Sequence, residues 1–320
     1  MKLIVFDYAR LMRLPLVLSV VADILLGGLL LQRNQLTTSD MIELAILTAA
    51  SACLYLAGMV FNDLFDVKQD TQERPDRPIP SGAVSWISAL ILGTALMAGG
   101  IGLALLANEY AMYVAVGLAG VILFYDGFKH LPFAPLVMGL CRGGNVLLGS
   151  THAWPLGESR IDVVILGLVS VAMISFIAGI TFLARTEAIG VTKGQIALCR
   201  GGYLGAFVIL LMTFLLEHGA GDVVSGRGPI RAGEGWLILI GTLVVAYRFD
   251  CWFRQRVAQI EQAEKKPPLI GRTVGQMLGY YPLLAALTLV TIRPSMWPAA
   301  LLIALLRWGI VWGRKYIPIT

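Results

Sequence analysis

Asn62, Asp63, Asp66 and Asp70 open a charged stretch, NDLFDVKQDTQERPDRPIPSG over residues 62–82, with apolar sequence on both sides of it. On a helix, positions 62, 66 and 70 share one face and position 63 lies three residues before 66, so the four side chains form one broad stripe. Like charges at that spacing repel by about 0.2–0.5 kcal/mol per pair in water, and more beside a low-dielectric medium, so the stripe calls for a cation. Oxygen donors without His or Cys select a hard ion, and Mg²⁺ takes a few carboxylates while water and phosphate oxygens complete its shell. The residues that follow suit phosphate. Arg74 and Arg77 carry permanent charge, and Pro75, Pro78 and Pro80 stiffen the segment that presents them. The spacing favours a Mg²⁺–diphosphate site; a solvated acidic loop with local ion pairs is the alternative.

The elements that must position these groups are membrane helices. Of 320 residues, 57% are hydrophobic and only 14% charged, far from the quarter or so charged in soluble domains. Apolar runs at 14–31, 42–61, 85–106, 110–125, 134–151, 161–183, 200–216, 234–250 and 275–292 each approach the roughly 20 residues of a spanning helix. A further run follows at 295–313, behind Arg293 and Pro294, so the last two runs read as two spans or one broken one. The expected fold is all-α, a polytopic membrane bundle of about nine or ten transmembrane helices in one domain over residues 1–320. The first run follows Lys2, Arg10 and Arg13, is too long for a signal peptide and has no small-residue cleavage site behind it, so it reads as an anchored span.

Lys2, Arg10, Arg13, Lys68, Arg74, Arg77, Lys129, Arg185, Lys193, Arg200 and the cluster from Arg248 to Arg272 fall on one side of these spans, against Arg33, Arg160, Arg227 and Arg231 opposite. The positive-inside rule makes the richer side, with the 62–82 stretch, cytoplasmic. The net charge of +5 is spread over loops and gives no nucleic-acid-binding face. Cys53, Cys141, Cys199 and Cys251 lack metal-ligand spacing and read as free thiols, and His130, His152 and His218 are too far apart for a histidine metal site. The pairs Gly139/Gly143 and Gly201/Gly205 read as helix-packing contacts. Asp23 in the first span and Arg142 in the fifth are expensive in a bilayer. They are expected to face the bundle interior beside Asn145, lining a cavity or making a packing ion pair.

Asn62-Asp63-x-x-Asp66-x-x-x-Asp70 followed by Arg77-Pro78-Ile79-Pro80-Ser81-Gly82 resembles the first aspartate-rich motif of the UbiA superfamily of intramembrane prenyltransferases. The resemblance covers nearly the whole chain and implies a nine-span bundle whose cytoplasmic loops cap a lateral, lipid-open cavity. It implies that Asn62, Asp63, Asp66 and Asp70 hold Mg²⁺ on an allylic diphosphate, with Asp66 and Asp70 as catalytic groups, and that Arg74 and Arg77 steady the phosphates. Arg13-Leu14-Pro15 is similar to the family's first-span motif of a basic residue shortly before proline. Tyr125-x-x-x-Lys129, then Pro135 and Asn145, is similar to the loop between spans four and five, whose tyrosine and lysine face the diphosphate. Outside the resemblance, Lys129 reads equally as a snorkelling loop lysine.

The chain departs from the family after the sixth span. Where relatives carry a second carboxylate cluster, residues 182–190 hold one carboxylate, Glu187, and the basic Arg185. Arg185 and Glu187 are therefore expected at the diphosphate in place of an acidic twin. Asp126, beside Tyr125, is a candidate substitute ligand or an ordinary loop charge. The resemblance implies Mg²⁺-dependent transfer of an isoprenyl group from an isoprenyl diphosphate to a lipophilic acceptor within the bilayer, with Phe124 and Tyr125 shielding the allylic cation. The competing expectation is a non-catalytic binder or carrier of polyprenyl lipids that keeps one diphosphate site.

Overall fold

The capping residues written into the loops start the helices, and apolar sequence carries them. In the computed structural model, which describes residues 2–32, 36–155, 160–185, 192–219, 232–263 and 267–317, twelve α-helices follow one another. They are α1 (Lys2–Leu11), α2 (Val17–Leu30), α3 (Thr38–Phe65), α4 (Val67–Glu73), α5 (Trp86–Ala107), α6 (Glu109–Phe128), α7 (Ala134–Ser150), α8 (Arg160–Ala184), α9 (Lys193–His218), α10 (Ala232–Gln262), α11 (Pro267–Ile292) and α12 (Trp297–Tyr316). No strand occurs among the described residues. Thr37 with Asp40 and Thr192 with Gln195 form capping boxes at α3 and α9, while Ser85 and Asn108 cap α5 and α6 with their side chains. Each cap satisfies a backbone N–H that the first turn would otherwise leave unpaired.

Eight described helices are long and apolar enough to cross a membrane, or nine if α1 and α2 count as one span bent by 51°. The expected number is thus reached by a different tally. The last two apolar runs are separate helices, divided by the one-turn Pro294–Met296, while α7 has only 17 residues, short of a straight span. The bend between α1 and α2 has a local cause. Arg13 is in the left-handed region, with φ 48°, and Pro15 lies in the 3₁₀ turn Leu14–Leu16 that follows. A left-handed non-glycine residue costs roughly 1–2 kcal/mol, so something must hold it there.

The chain divides into two compact units, residues 1–134, 144–155 and 305–320 forming one and residues 135–143 and 156–304 the other. Within the first, α3 packs most extensively on α5. The backbones of α2 and α7 also touch there: a Cβ on Gly149 would lie 2.3 Å from the Ile24 carbonyl oxygen, and one on Gly27 would lie 1.9 Å from that of Val146. Within the second, α8 packs on α9, and Gly139 and Gly143 meet Ile174 as their spacing predicts. Of the expected pair Gly201/Gly205, Gly205 meets the Ser175 hydroxyl, 3.4 Å from where its Cβ would lie, but Gly201 does not pack. Gly201 faces open space, whereas a Cβ on Gly202 would lie 2.6 Å from the Ser175 carbonyl oxygen and 2.8 Å from Gly179 Cα.

This contrast gives a stability test in detergent. Gly202→Ala should cost roughly 1–3 kcal/mol through overpacking, while Gly201→Ala should gain up to roughly 1 kcal/mol from helix propensity. Thermal unfolding that ranks the two variants equally would remove Gly202 from the α8–α9 contact.

Candidate functional site

The carboxylate stripe forms where α3 ends. The helix does not run unbroken through position 70 as its spacing predicts; it stops at Phe65, and Asp66 is the hinge residue before the two-turn α4. The hydrogen bonds nevertheless continue in helical register, Asp66 N–H to Asn62 C=O at 3.1 Å and Asp70 N–H to Asp66 C=O at 2.8 Å. The stripe therefore survives as a slightly bent face.

Arginines meet this face from two directions. Arg13, at the α1–α2 break, donates from Nη2 to Asp63 Oδ1 at 2.9 Å, the contact that offsets its strained backbone. Arg77 donates from Nη1 to the same oxygen at 3.3 Å and to Asp70 Oδ2 at 2.6 Å. Asp63, Asp70 and Arg77 are each no more than 5% exposed, so these are desolvated charges that require one another. The RPIPSG segment delivers Arg77 as a folded turn. Ser81 N–H bonds Arg77 C=O at 2.9 Å, Val84 N–H bonds Pro78 C=O at 2.9 Å, and Gly82 takes a positive φ of 77°. Ile79 and Val84 then seat the turn in an apolar cluster with Leu11, Val60 and Ala89. From α1, Arg10 Nη2 donates to the Asp76 carbonyl at 3.3 Å.

A second set of contacts ties α3 to α6. Asn62 Nδ2 donates to Asp126 Oδ1 at 3.1 Å, and Lys129 pairs with Asp66. The two partners on α6 are three residues apart and those on α3 four apart, the spacings that place pairs on one helical face. Tyr125 is half-buried beside them. Phe124 is 43% exposed and its ring packs on Phe128, with centroids 4.9 Å apart. It lies about 200° around the helix from Asp126, away from the Asn62 contact.

The remaining expected residues are dispersed. Arg74 is half-buried and closes α4, its N–H bonding Asp70 C=O at 2.8 Å. Asp23 is fully buried in α2. Asn145 accepts a hydrogen bond from Ser51 Oγ at 2.7 Å, within the first unit. In the second unit, the Arg142 guanidinium lies 5.1 Å from the centre of the Tyr281 ring, a cation–π distance. Arg185 is the half-buried residue after α8, and Glu187 lies outside the described residues.

Sequence reasoning missed a polar cluster in the second unit. Asp250 accepts from Arg200 Nε and Nη2 at 2.8 and 3.1 Å, from the Tyr203 hydroxyl at 2.7 Å, and pairs with Arg254 at 2.8 Å. The Arg-x-x-Tyr and Asp-x-x-x-Arg spacings were its only signal. Nearby, Phe176, Phe207, Phe249, Trp252, Tyr280 and Arg248 help line a cavity of about 370 Å³.

Among the described residues no three carboxylates converge closely enough to hold a metal as they stand, but the donor chemistry suits a hard cation. The donor set offers the carboxylates of Asp63, Asp66 and Asp70 and the amide oxygen of Asn62 on one face, with a further buried carboxylate oxygen, Asp126 Oδ2, that has no hydrogen-bond partner among the described residues. Arg13, Arg77 and Lys129 add cations at the same face, so each carboxylate of Asp63, Asp66 and Asp70 stands in an ion pair. These features define a polytopic helical membrane protein with an ionic site at the ends of its helices.

Comparison with known proteins supplies the family. The profile of the UbiA prenyltransferase family matches residues 22–266, and the chain belongs to that family. It is 31% identical over 148 residues to the digeranylgeranylglyceryl phosphate synthase of Saccharolobus solfataricus, covering 46% of this chain and 48% of that protein. It is 37% identical over 105 residues to the synthase of Methanopyrus kandleri, covering 33% and 35%. The matches thus span about half or less of these curated relatives. Among solved structures, one from work on digeranylgeranylglyceryl phosphate synthase in membranes shares the fold with a TM-score of 0.57 at 19% identity, over 91% of this chain and 98% of that one. A UbiA homologue from Aeropyrum pernix K1 gives 0.53 at 18%, over 94% and 98%. A UbiA homologue from Archaeoglobus fulgidus bound to GPP and Mg²⁺ gives 0.50 at 16%, over 89% and 99%.

The buried ion network predicts an asymmetric response. Arg77→Met should destabilise the protein by about 3–5 kcal/mol, because it strands the buried Asp63 and Asp70 carboxylates. Arg13→Met should cost less, since Arg77 still serves Asp63. Chemical unfolding in mixed micelles that shows Arg13→Met to be the more damaging change would reverse the assignment of Arg77 as the central cation.

Proposed function

We propose that this protein is a Mg²⁺-dependent intramembrane prenyltransferase that moves an isoprenyl group from an isoprenyl diphosphate to a lipophilic acceptor, with its loop-borne site on the cytoplasmic side. The observation that carries the reading is the single face on which Asn62, Asp66 and Asp70 meet Arg77 and Lys129. A metal–diphosphate ligand needs that combination of carboxylate and cationic partners. Family membership and the GPP and Mg²⁺ bound by the Archaeoglobus homologue support it.

In this reading Asn62, Asp66 and Asp70 would hold the metal, which when bound would supply charge neutralisation to the leaving diphosphate. Asp63 contributes mainly by fixing Arg13 and Arg77, whose guanidiniums already share its Oδ1. Arg77, Arg74 and Lys129 take diphosphate oxygens, exchanging a carboxylate partner for a phosphate one. As the allylic carbon–oxygen bond breaks, its electron pair leaves on the diphosphate, and fixed cations favour that developing charge. Tyr125, one turn before Lys129, would orient the diphosphate and offer its ring face to the allylic cation. The acceptor then bonds to that carbon, and a carboxylate oxygen of Asp66 or Asp70 not on the metal accepts the proton it loses. Arg185 would add positive charge toward the diphosphate, and Glu187 is the one carboxylate of the segment where the family resemblance leads to a second acidic cluster. Asp23 and Asn145 of the first unit would line the path of the apolar substrate portions there; the second unit, where Arg142 lies on the Tyr281 ring, has an aromatic cavity whose chemistry suits a lipophilic chain.

Purified protein incubated with Mg²⁺, geranyl and longer isoprenyl diphosphates, and a panel of glyceryl phosphate lipids, quinones and phenols should release pyrophosphate with at least one acceptor. EDTA should abolish release, and Asp66→Asn should lower turnover by at least about a hundredfold, the scale on which removing one charge-stabilising group acts. Tight Mg²⁺-dependent diphosphate binding without pyrophosphate release on any acceptor would replace transfer with a lipid-carrier role.

A further inference from the structure

The reading above leaves the buried carboxyl group of Asp126 unused. Asp126 is 4% exposed. One carboxylate oxygen accepts from Asn62 Nδ2 at 3.1 Å, and the other, Oδ2, is buried with no hydrogen-bond partner among the described residues. An ionised carboxylate offers about four acceptor positions, and burying one oxygen without a partner is costly. Such a group in a folded protein requires a reason.

Its neighbours supply one. Asp126 and Lys129 project from one face of α6 toward Asn62 and Asp66 on α3, one contact per turn. Lys129 neutralises Asp66, so the cation nearest in sequence to Asp126 is already engaged. The contact with Asn62 also sets the direction of that amide. A carboxylate can only accept, so the amide nitrogen faces Asp126 and the amide oxygen is turned outward as a donor to metal. In the sequence, the segment after α8 holds the single carboxylate Glu187 where the family resemblance leads to a second acidic cluster.

We propose that Asp126 supplies a carboxylate ligand from α6 to the Mg²⁺ of the diphosphate site, in place of the missing acidic cluster, and fixes the Asn62 amide for the same ion. This rests on the metal–diphosphate reading and deepens it. The metal is thereby held between α3 and α6 rather than by the α3 face alone.

The test uses Mn²⁺ as the probe, followed by electron paramagnetic resonance in the presence of geranyl diphosphate, with no turnover needed. Asp126→Asn keeps the size of the side chain and an acceptor for Asn62, so a packing role would leave Mn²⁺ binding unchanged. The proposal expects a loss of about 10–100-fold in Mn²⁺ affinity, with metal-free thermal stability equal to or above that of the wild type. Asp126→Glu should bind Mn²⁺ more tightly than Asp126→Gln, a comparison that serves if the asparagine variant does not fold. Mn²⁺ affinity in Asp126→Asn within about twofold of wild type, while Asp66→Asn loses binding, overturns the Asp126 role and leaves the diphosphate site standing. Absence of diphosphate-dependent Mn²⁺ binding in the wild type overturns both.

Discussion

The Asp63 carboxylate is the constraint on which the first unit depends. Its Oδ1 receives Arg13 from the break between α1 and α2 and Arg77 from the turn after α4, so three segments distant in sequence are joined at one oxygen. Removing such charges from water costs several kcal/mol per ion, and the cost is recovered only when every partner is in place. The network therefore contributes little net stability but much specificity. The left-handed Arg13, the apolar seating of Ile79 and Val84, and the hinge at Asp66 are each local arrangements that make sense only with the network complete.

The hinge has a functional consequence. An unbroken α3 would carry Asp70 straight on along the helix axis. Ending the helix at Phe65 and restarting it at Val67 keeps the hydrogen-bond register while letting Asp70 meet Arg77 at 2.6 Å. Carboxylate and guanidinium are then already paired at the face where a metal–diphosphate ligand would bind. Such a ligand brings both charge types, so binding becomes an exchange of partners: phosphate for carboxylate on the arginine, metal for arginine on the carboxylate. That exchange avoids creating unpaired charge in a low-dielectric setting. Asp126 stands outside this pairing, with one oxygen unmet, and that separates it from the other carboxylates of the site.

Much of this was legible in the sequence because it follows from short periods. Hydrophobic runs of spanning length give the helices, and the 62, 66, 70 spacing gives the stripe, since both need only the helical repeat. The motif also named its family. Less accessible was anything that depends on rotation of one helix against another. Gly201 and Gly205 matched the packing pattern as well as Gly202 does, yet Gly201 faces open space, Gly205 meets only the Ser175 hydroxyl at an ordinary contact distance, and Gly202 is the one packed against the Ser175 and Gly179 backbone. Phe124 and Tyr125 are adjacent in sequence, but a helical step of about 100° sends them to different surroundings. The Asp250 cluster joins α9 to α10 through residues 47 and 50 positions apart, which no local spacing encodes.

The sequence by itself determined an all-helical membrane protein of the UbiA family and the face of α3 that carries its carboxylates, because composition and the 3.6-residue period are local properties. Tertiary structure alone decided which cations meet those carboxylates, where α3 breaks, and that Asn62 and Asp66 answer to Asp126 and Lys129 on α6. These are contacts over tens of residues, set by the packing and burial of helices that must satisfy every charge they enclose.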